Sequence, residues 1–257
     1  MTVKAKKHLG QHFLKDENIA RKIVEGLSFH GYENILEVGP GMGVLTKYLI
    51  EKEQHIYLAE IDQESIEYLK NNYPNQINEK TFVGDFLKQD FSLFNQQQVA
   101  IIGNFPYNIS SQILFQIIDN YHIIPEMVGM FQKEVAERTA AKPRTKDYGI
   151  LTVMVQAYYD VEYLFTVHEN VFNPPPKVKS GVIKMSRNPK SGLEGNEVLF
   201  KQIVKTGFNQ RRKKLSNALK PLNIPEGLKE HPFFDKRAEE LSVEDFIAFT
   251  ILWKESL

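Results

Sequence analysis

From residue 34 to residue 131 the chain alternates short apolar runs with amphipathic segments, and that alternation leaves few folds open. Residues 34–38, 55–61, 80–83, 99–102 and 127–131 read as strands; 44–52, 63–72, 110–120 and 133–141 read as helices. Strands that alternate with helices predict a parallel sheet with helices on both faces. Ahead of this region Asp16 is placed to cap a helix whose Ile19, Ile23, Val24 and Leu27 share one face. After it, 161–167 and 181–185 read as strands joined by a loop that holds Pro174, Pro175 and Pro176. No helix fits in that loop, so the two strands are expected to pair antiparallel at the sheet edge. Residues 188–196 have linker composition, and beyond them the strand signal stops. There 198–207, 210–219 and 243–253 read as helices, the last opening on a Ser242-to-Asp245 capping pattern. The expected organisation is an arm over 1–15, an α/β domain over 16–187, a linker over 188–196 and a small all-α domain over 197–257.

The first strand runs directly into Gly39-Pro40-Gly41-Met42-Gly43. Glycines between a strand and a helix let the backbone turn sharply and let a ligand approach main-chain atoms closely. A dinucleotide fingerprint needs a third glycine at position 44, where Val44 stands. Glu60 ends the second strand, where a carboxylate can accept hydrogen bonds from ribose hydroxyls. Asp85 ends the third, within reach of an adenine amine. Glycine or acidic groups at three successive strand ends mark the crevice in which open α/β sheets bind ligands.

The fourth strand leads into Asn104-Phe105-Pro106-Tyr107. That order answers one chemical problem. An exocyclic amine on a base is a poor nucleophile, because its lone pair is delocalised into the ring. The Asn104 carboxamide oxygen and the Pro106 carbonyl can both accept N–H bonds from such an amine and draw it toward a tetrahedral geometry. Proline fixes the turn and removes a competing donor. Tyr107 offers a stacking face for a base pulled out of its helix. A proline turn beside a core tyrosine is the plain alternative, and the position at a strand end in this order disfavours it.

Basic and acidic residues balance at 32 each, which at first argues against nucleic acid. The distribution reverses that. Residues 1–22 hold six basic and two acidic groups, and residues 173–220 hold twelve basic and two acidic, so these segments carry +4 and +10. The remainder is correspondingly acidic. Two basic segments flanking an acidic body predict a polyanion contact. The chain has no cysteine, which excludes disulfides, cysteine-ligated zinc and a thiol nucleophile and fits a reducing compartment. The first residues lack an apolar signal region, and the long uncharged stretch over 91–118 is broken by Gly103 and Pro106. Neither a secretory signal nor a membrane span is expected, so the expected location is cytoplasmic.

With these residues in hand, the chain resembles the ribosomal RNA adenine dimethyltransferases, and within them the small-subunit branch. The resemblance covers about residues 6–220. It is carried by 10–14 (Gly-Gln-His-Phe-Leu), the 37–43 turn, Glu60, Gly84-Asp85 and 103–108. It continues through 132–135, Tyr148-Gly149, 172–178 and Phe208-Asn209-Gln210-Arg211-Arg212-Lys213. The resemblance implies a Rossmann-like class I methyltransferase sheet and S-adenosyl-L-methionine as methyl donor. It implies that His12, Leu14, Gly39, Gly41, Glu60, Asp85 and Asn104 line the cofactor site. It further implies that Asn104, Pro106 and Tyr107 hold the target adenine and that Phe172 closes on the base from the other face. The implied product is two adjacent dimethyladenosines in the hairpin near the 3′ end of small-subunit RNA, made by a monomer on a pre-30S-type particle. No metal is implied. RNA contacts are expected from Lys4, Lys6, Lys7, Lys142, Arg144, Lys146, Arg211, Arg212 and Lys213. Three positions depart from the pattern: His12 stands where many relatives have Asn, Phe105 where Leu or Ile is usual, and Lys179 where Asp is frequent.

Other readings explain less. A nicotinamide or flavin oxidoreductase shares the sheet but not the glycine spacing or residues 104–107. A DNA adenine methylase lacks the helical C-terminal segment. A large-subunit dimethylase shares the catalytic domain, and Phe208–Arg212 favours the small-subunit branch over it. A non-catalytic RNA-binding assembly factor has no need of a cofactor site with every position plausibly filled.

Overall fold

The computed structural model describes residues 3–188, 193 and 195–256. In chain order the elements are β1 (Phe13–Leu14), α1 (Glu17–Glu25), β2 (Asn34–Val38), α2 (Thr46–Leu49), β3 (His55–Ala59), α3 (Gln63–Asn72), β4 (Val99–Asn104), α4 (Ser110–Asp119) and β5 (Glu126–Gln132). They continue with α5 (Lys133–Thr139), α6 (Ile150–Gln156), β6 (Tyr159–Val167), β7 (Phe172–Asn173), β8 (Ser180–Arg187), α7 (Glu197–Asn209), α8 (Leu215–Ala218) and α9 (Val243–Glu255).

Six strands form one sheet in the order β3-β2-β4-β5-β8-β6. β2 pairs parallel with β3 and β4, and β4 with β5, whereas β8 runs antiparallel to β5. Every residue of β2 and the first five of β4 are buried, as a strand covered on both faces requires. The expected parallel α/β sheet is therefore present, with β8 and β6 as neighbours at its edge. β1 and β7 form a separate antiparallel pair that the sequence reading did not foresee. Its register sets Leu14 opposite Phe172, and both side chains enter the core cluster built around Ile23, Val24, Ile35, Ala100, Ile102, Val128 and Val182.

Caps account for the helix starts. Asp16 accepts from the Asn18 and Ile19 amides (2.9 and 3.1 Å), and Ser242 and Asp245 cap α9 reciprocally (3.0 Å each way).

The structure corrects several expectations. Residues 80–83 do not form a strand. Asn78 and Thr81 close a capping box around a 3-10 turn (Glu79–Thr81), and only one parallel bridge, Leu58 to Phe82, joins this segment to the sheet. The helix expected over 44–52 shrinks to α2. The helix expected over 210–219 shrinks to α8, because residue 214 is extended, bridges to Arg237, and the Leu215 amide donates to the Lys236 carbonyl (2.8 Å). Arg211, Arg212 and Lys213 thus sit in a turn rather than on a helix. α6 was not foreseen. Its Val153-Met154-Val155 run is apolar on every side and carries no helical period.

The chain divides into two compact units, residues 1–136 with 161–187 and residues 137–160 with 188–257. The segment 137–160, expected in the α/β domain, belongs with the C-terminal helices. In this second unit Phe200, Ile203, Phe208, Phe246, Phe249 and Trp253 are buried, and the Tyr148 hydroxyl donates to the Leu241 carbonyl (2.9 Å). The expected linker lies mostly outside the described residues. No helix among those described is long and apolar enough to cross a membrane.

Candidate active site

The carboxyl ends of β2, β3 and β4 open onto a cavity of about 260 Å3 in the first unit. Residues from the N-terminal arm, the glycine turn, Glu60, Asp85 and the 104–109 turn line it. Gly39 and Gly41 both have positive φ (69° and 55°). A Cβ added at Gly39 would stand about 3.9 Å from the Asn104 carbonyl and the Pro106 ring, in the space of the cavity. A Cβ at Gly41 would press on the Phe13 ring at 2.8 Å. The turn therefore makes a cradle that any side chain would fill.

Glu60 is nearly buried. Its Oε1 accepts from the Ile61 and Asp62 amides (2.8 Å each) and its Oε2 from the Gly41 amide (3.2 Å). Burial raises its pKa, and those three amides oppose the rise. Oε1 is saturated, so the acceptor capacity left for a ribose hydroxyl is on Oε2. Asp85 caps a short turn through the Leu87 amide (3.0 Å) and lies 3.6 Å from Lys88. The arm is latched over this end of the sheet. Lys6 pairs with Asp62 and with Glu64 (3.2 Å), and Gln11 Nε2 donates to Asp62 (3.0 Å). Burial pushes the Asp62 carboxyl up, but Gln11 and Lys6 together bring it below its ordinary value. Lys6, expected to meet RNA, is thus committed to the protein; Lys4 and Lys7 are exposed.

At the end of β4, Asn104 Nδ2 donates to the His12 carbonyl (2.9 Å). That bond fixes which way the carboxamide faces and leaves Oδ1 as its open acceptor. The Phe105 ring plugs the backbone below. It is fully buried, packs on Phe131 (4.7 Å between centroids), and occupies space that a Cβ at Gly129 would invade at 1.9 Å. The large side chain at this position is accommodated by glycine on the neighbouring strand. The Pro106 carbonyl already receives two long bonds, from the Ile109 amide (3.3 Å) and Ser110 Oγ (3.4 Å). The Tyr107 hydroxyl meets Ser180 Oγ at 2.6 Å, and the His12 imidazole stacks on its ring (5.5 Å, 27°). His12 Nδ1 lies 2.8 Å from the Pro174 carbonyl. A carbonyl only accepts, so Nδ1 carries the proton.

Of the residues expected at the site, His12, Gly39, Gly41, Glu60, Asp85, Asn104, Pro106 and Tyr107 converge on the cavity. Leu14 lines a small pocket shared with Gly39 and Asn104, its side chain in the core. Phe172, paired opposite it, lines neither and is turned into the core at 1% exposure. Sequence reasoning missed Gln11 and Ser180. Gln11 lay inside a motif already singled out; Ser180, one residue before an expected strand, gave no signal.

In the second unit Lys142, Arg144, Lys146, Arg212 and Lys213 are exposed. Arg211 is different. Its guanidinium pairs with Glu239 (2.5 Å) and donates to the Lys146 and Thr145 carbonyls (2.8 and 2.9 Å).

A profile described as ribosomal RNA adenine dimethylase matches residues 2–252. The chain belongs to the ribosomal RNA adenine dimethylase family. Among curated members it is 59% identical to ribosomal RNA small subunit methyltransferase A of Flavobacterium johnsoniae, over 96% of this chain and 95% of that one. The same-named protein of Cytophaga hutchinsonii is 57% identical over 96% of each. Among solved structures, a dimethyladenosine transferase from Plasmodium falciparum superposes with a TM-score of 0.81 at 26% identity, covering 95% of this chain and 98% of that one. The 23S rRNA methyltransferase ErmE shares the fold at a TM-score of 0.72 and 23% identity, covering 94% of this chain and 99% of that one. As a member of the family the protein is an S-adenosylmethionine-dependent rRNA adenine methyltransferase with the Rossmann-like class I fold. The Gly39 cradle, the acceptor left on Glu60 and the capped Asp85 suit an adenosyl cofactor of this kind.

Proposed function

We propose that the protein dimethylates two adjacent adenosines in the hairpin near the 3′ end of small-subunit rRNA, acting as a monomer on a pre-30S-type particle in the cytoplasm. The observation that carries this reading is the amide of Asn104, whose Nδ2 is committed to the His12 carbonyl, leaving Oδ1 as the open acceptor of a residue that lines the cavity with Gly39, Glu60 and Asp85. The curated small-subunit relatives, similar along nearly their whole length, support the choice of RNA.

S-adenosylmethionine, when bound by Gly39, Gly41, Glu60 and Asp85, supplies an electrophilic methyl group. The protein's own work is to prepare the nucleophile. Asn104 Oδ1 accepts an N–H of the adenine amine and withdraws the lone pair from conjugation. Tyr107, held by Ser180 and His12, takes the plane of the extruded base. The Pro106 carbonyl is a second acceptor once its long bonds to Ile109 and Ser110 yield. Alkylation makes the amine strongly acidic, so its proton passes to water without a dedicated base. Alignment and electrostatics carry the rate.

Labelled cofactor incubated with unmethylated small subunits, large subunits and duplex DNA tests the substrate. Label on small-subunit RNA is the expected result; label confined to large subunits or DNA overturns it.

A further inference from the structure

Residues 174–180 form a strap anchored beside Tyr107 at both ends. At the first end the Pro174 carbonyl accepts from His12 Nδ1 (2.8 Å), and His12 is stacked on Tyr107. At the other, Ser180 Oγ meets the Tyr107 hydroxyl at 2.6 Å, and the Lys179 carbonyl accepts from the Lys133 amide (2.9 Å). Pro176 and Ser180 are buried, so the strap has an inner side as well as anchored ends. Between them Lys177, Val178 and Lys179 are exposed, Val178 by 45%. The strap holds no acidic residue, and neither lysine has an ion-pair partner among the described residues. Two uncompensated cations are thus held in fixed register with the tyrosine that receives the base.

An adenine that reaches Asn104 must leave its stack, and its own backbone comes with it. The phosphates on either side of the extruded nucleotide then pass beside Tyr107. The strap is a cationic segment hydrogen-bonded to that residue's hydroxyl. We propose that Lys177 and Lys179 bind the phosphates flanking the target adenosine. The strap thereby sets where the RNA backbone enters and which nucleotide is presented. This rests on the reading that the substrate is rRNA, and it assigns the near-site backbone contact to residues outside both the N-terminal arm and the 211–213 cluster.

The test is the salt dependence of binding to unmethylated small subunits, at fixed magnesium, for wild type, Lys177→Ala, Lys179→Ala and the double variant. Lys80→Ala serves as control, since Lys80 borders a recess with His55 and Ile56, at the amino-terminal end of β3 and away from the cavity. Each strap substitution is expected to reduce the slope of log K against log salt by about 0.7–0.9, and the double variant by about twice that. The control should keep the wild-type slope. Binding of S-adenosylmethionine in the absence of RNA should stay within about two-fold for all variants, because neither lysine lines the cavity. Wild-type slopes in both single variants and the double, or an equal loss in Lys80→Ala, overturn the proposal. If wild type methylates large subunits instead, the substrate reading fails while the strap is still scored by the same slopes on that RNA.

Discussion

The site depends on a few atoms whose direction is set by neighbours. Asn104 has one donor committed to His12, and Tyr107 is gripped at its hydroxyl by Ser180 and on its ring by His12. Ser180→Ala therefore acts through Tyr107. It is expected to lower kcat/KM about five-fold, the equivalent of ~1 kcal/mol for one hydrogen bond. Tyr107→Phe removes the same bond and is expected to cost about as much. The double variant should match either single one, a coupling of ~1 kcal/mol. Losses that multiply in the double variant show that Ser180 acts some other way. The grouping of these residues was partly legible beforehand. Asn104, Pro106 and Tyr107 stand together in sequence, and all three line the cavity. Ser180 was illegible because its partner lies 73 residues away and a serine before a strand looks like any other.

At the level of elements, the contrast between Arg211 and Arg212 is instructive. Both belong to one cationic run, and a helix was expected to carry them. The bridge from Lys214 to Arg237 ends that option and puts the run in a turn. Arg211 then ties the 142–146 loop to Glu239, while Arg212 stays exposed. Arg211→Ala should lower the thermal midpoint and speed amide exchange in residues 142–147, at a cost of ~1–2 kcal/mol, and leave the RNA salt slope unchanged. Arg212→Ala should leave stability unchanged and reduce that slope by about 0.7–0.9. The opposite pattern contradicts this division of roles. The elements that were legible are those whose pattern is local: β2, β4 and β5 from their apolar runs, α1 from its cap and apolar face, and α9 from its capping pattern. The β1–β7 pair is decided by tertiary partners, which a propensity reading cannot reach. α6 carries no helical period, and the third strand gives way to the local Asn78–Thr81 capping box.

For the whole molecule, the even charge balance conceals separate basic segments, and part of that charge is internal. Lys6 and Arg211 hold the protein together, whereas the strap lysines, Lys142 and Arg212 face solvent. The core itself carries a pH-dependent term. Glu37, buried at the end of β2 and bonded by Thr46 Oγ1 (2.6 Å), has its pKa pushed up to about 8 by burial. The folded state keeps a proton that the unfolded chain releases above its ordinary value of about 4.5. This group's contribution to stability is therefore full below pH 4.5 and is lost as pH rises toward 8, by up to ~1.4 kcal/mol per unit. Glu37→Gln, which cannot ionise, should gain on wild type between pH 5 and pH 8 in denaturant midpoints. A difference that stays constant across that range contradicts a protonated Glu37.

In the proposed mechanism the Asn104 carboxamide activates the adenine amine rather than holding the RNA. Single-turnover methyl transfer by Asn104→Ala to unmethylated small subunits, with RNA affinity measured on the same preparation, separates the two. The expected result is a fall in rate of about 100-fold or more, ~3 kcal/mol or above, with affinity for the subunit within about two-fold. Wild-type turnover, or a loss explained entirely by weaker RNA binding, would contradict it.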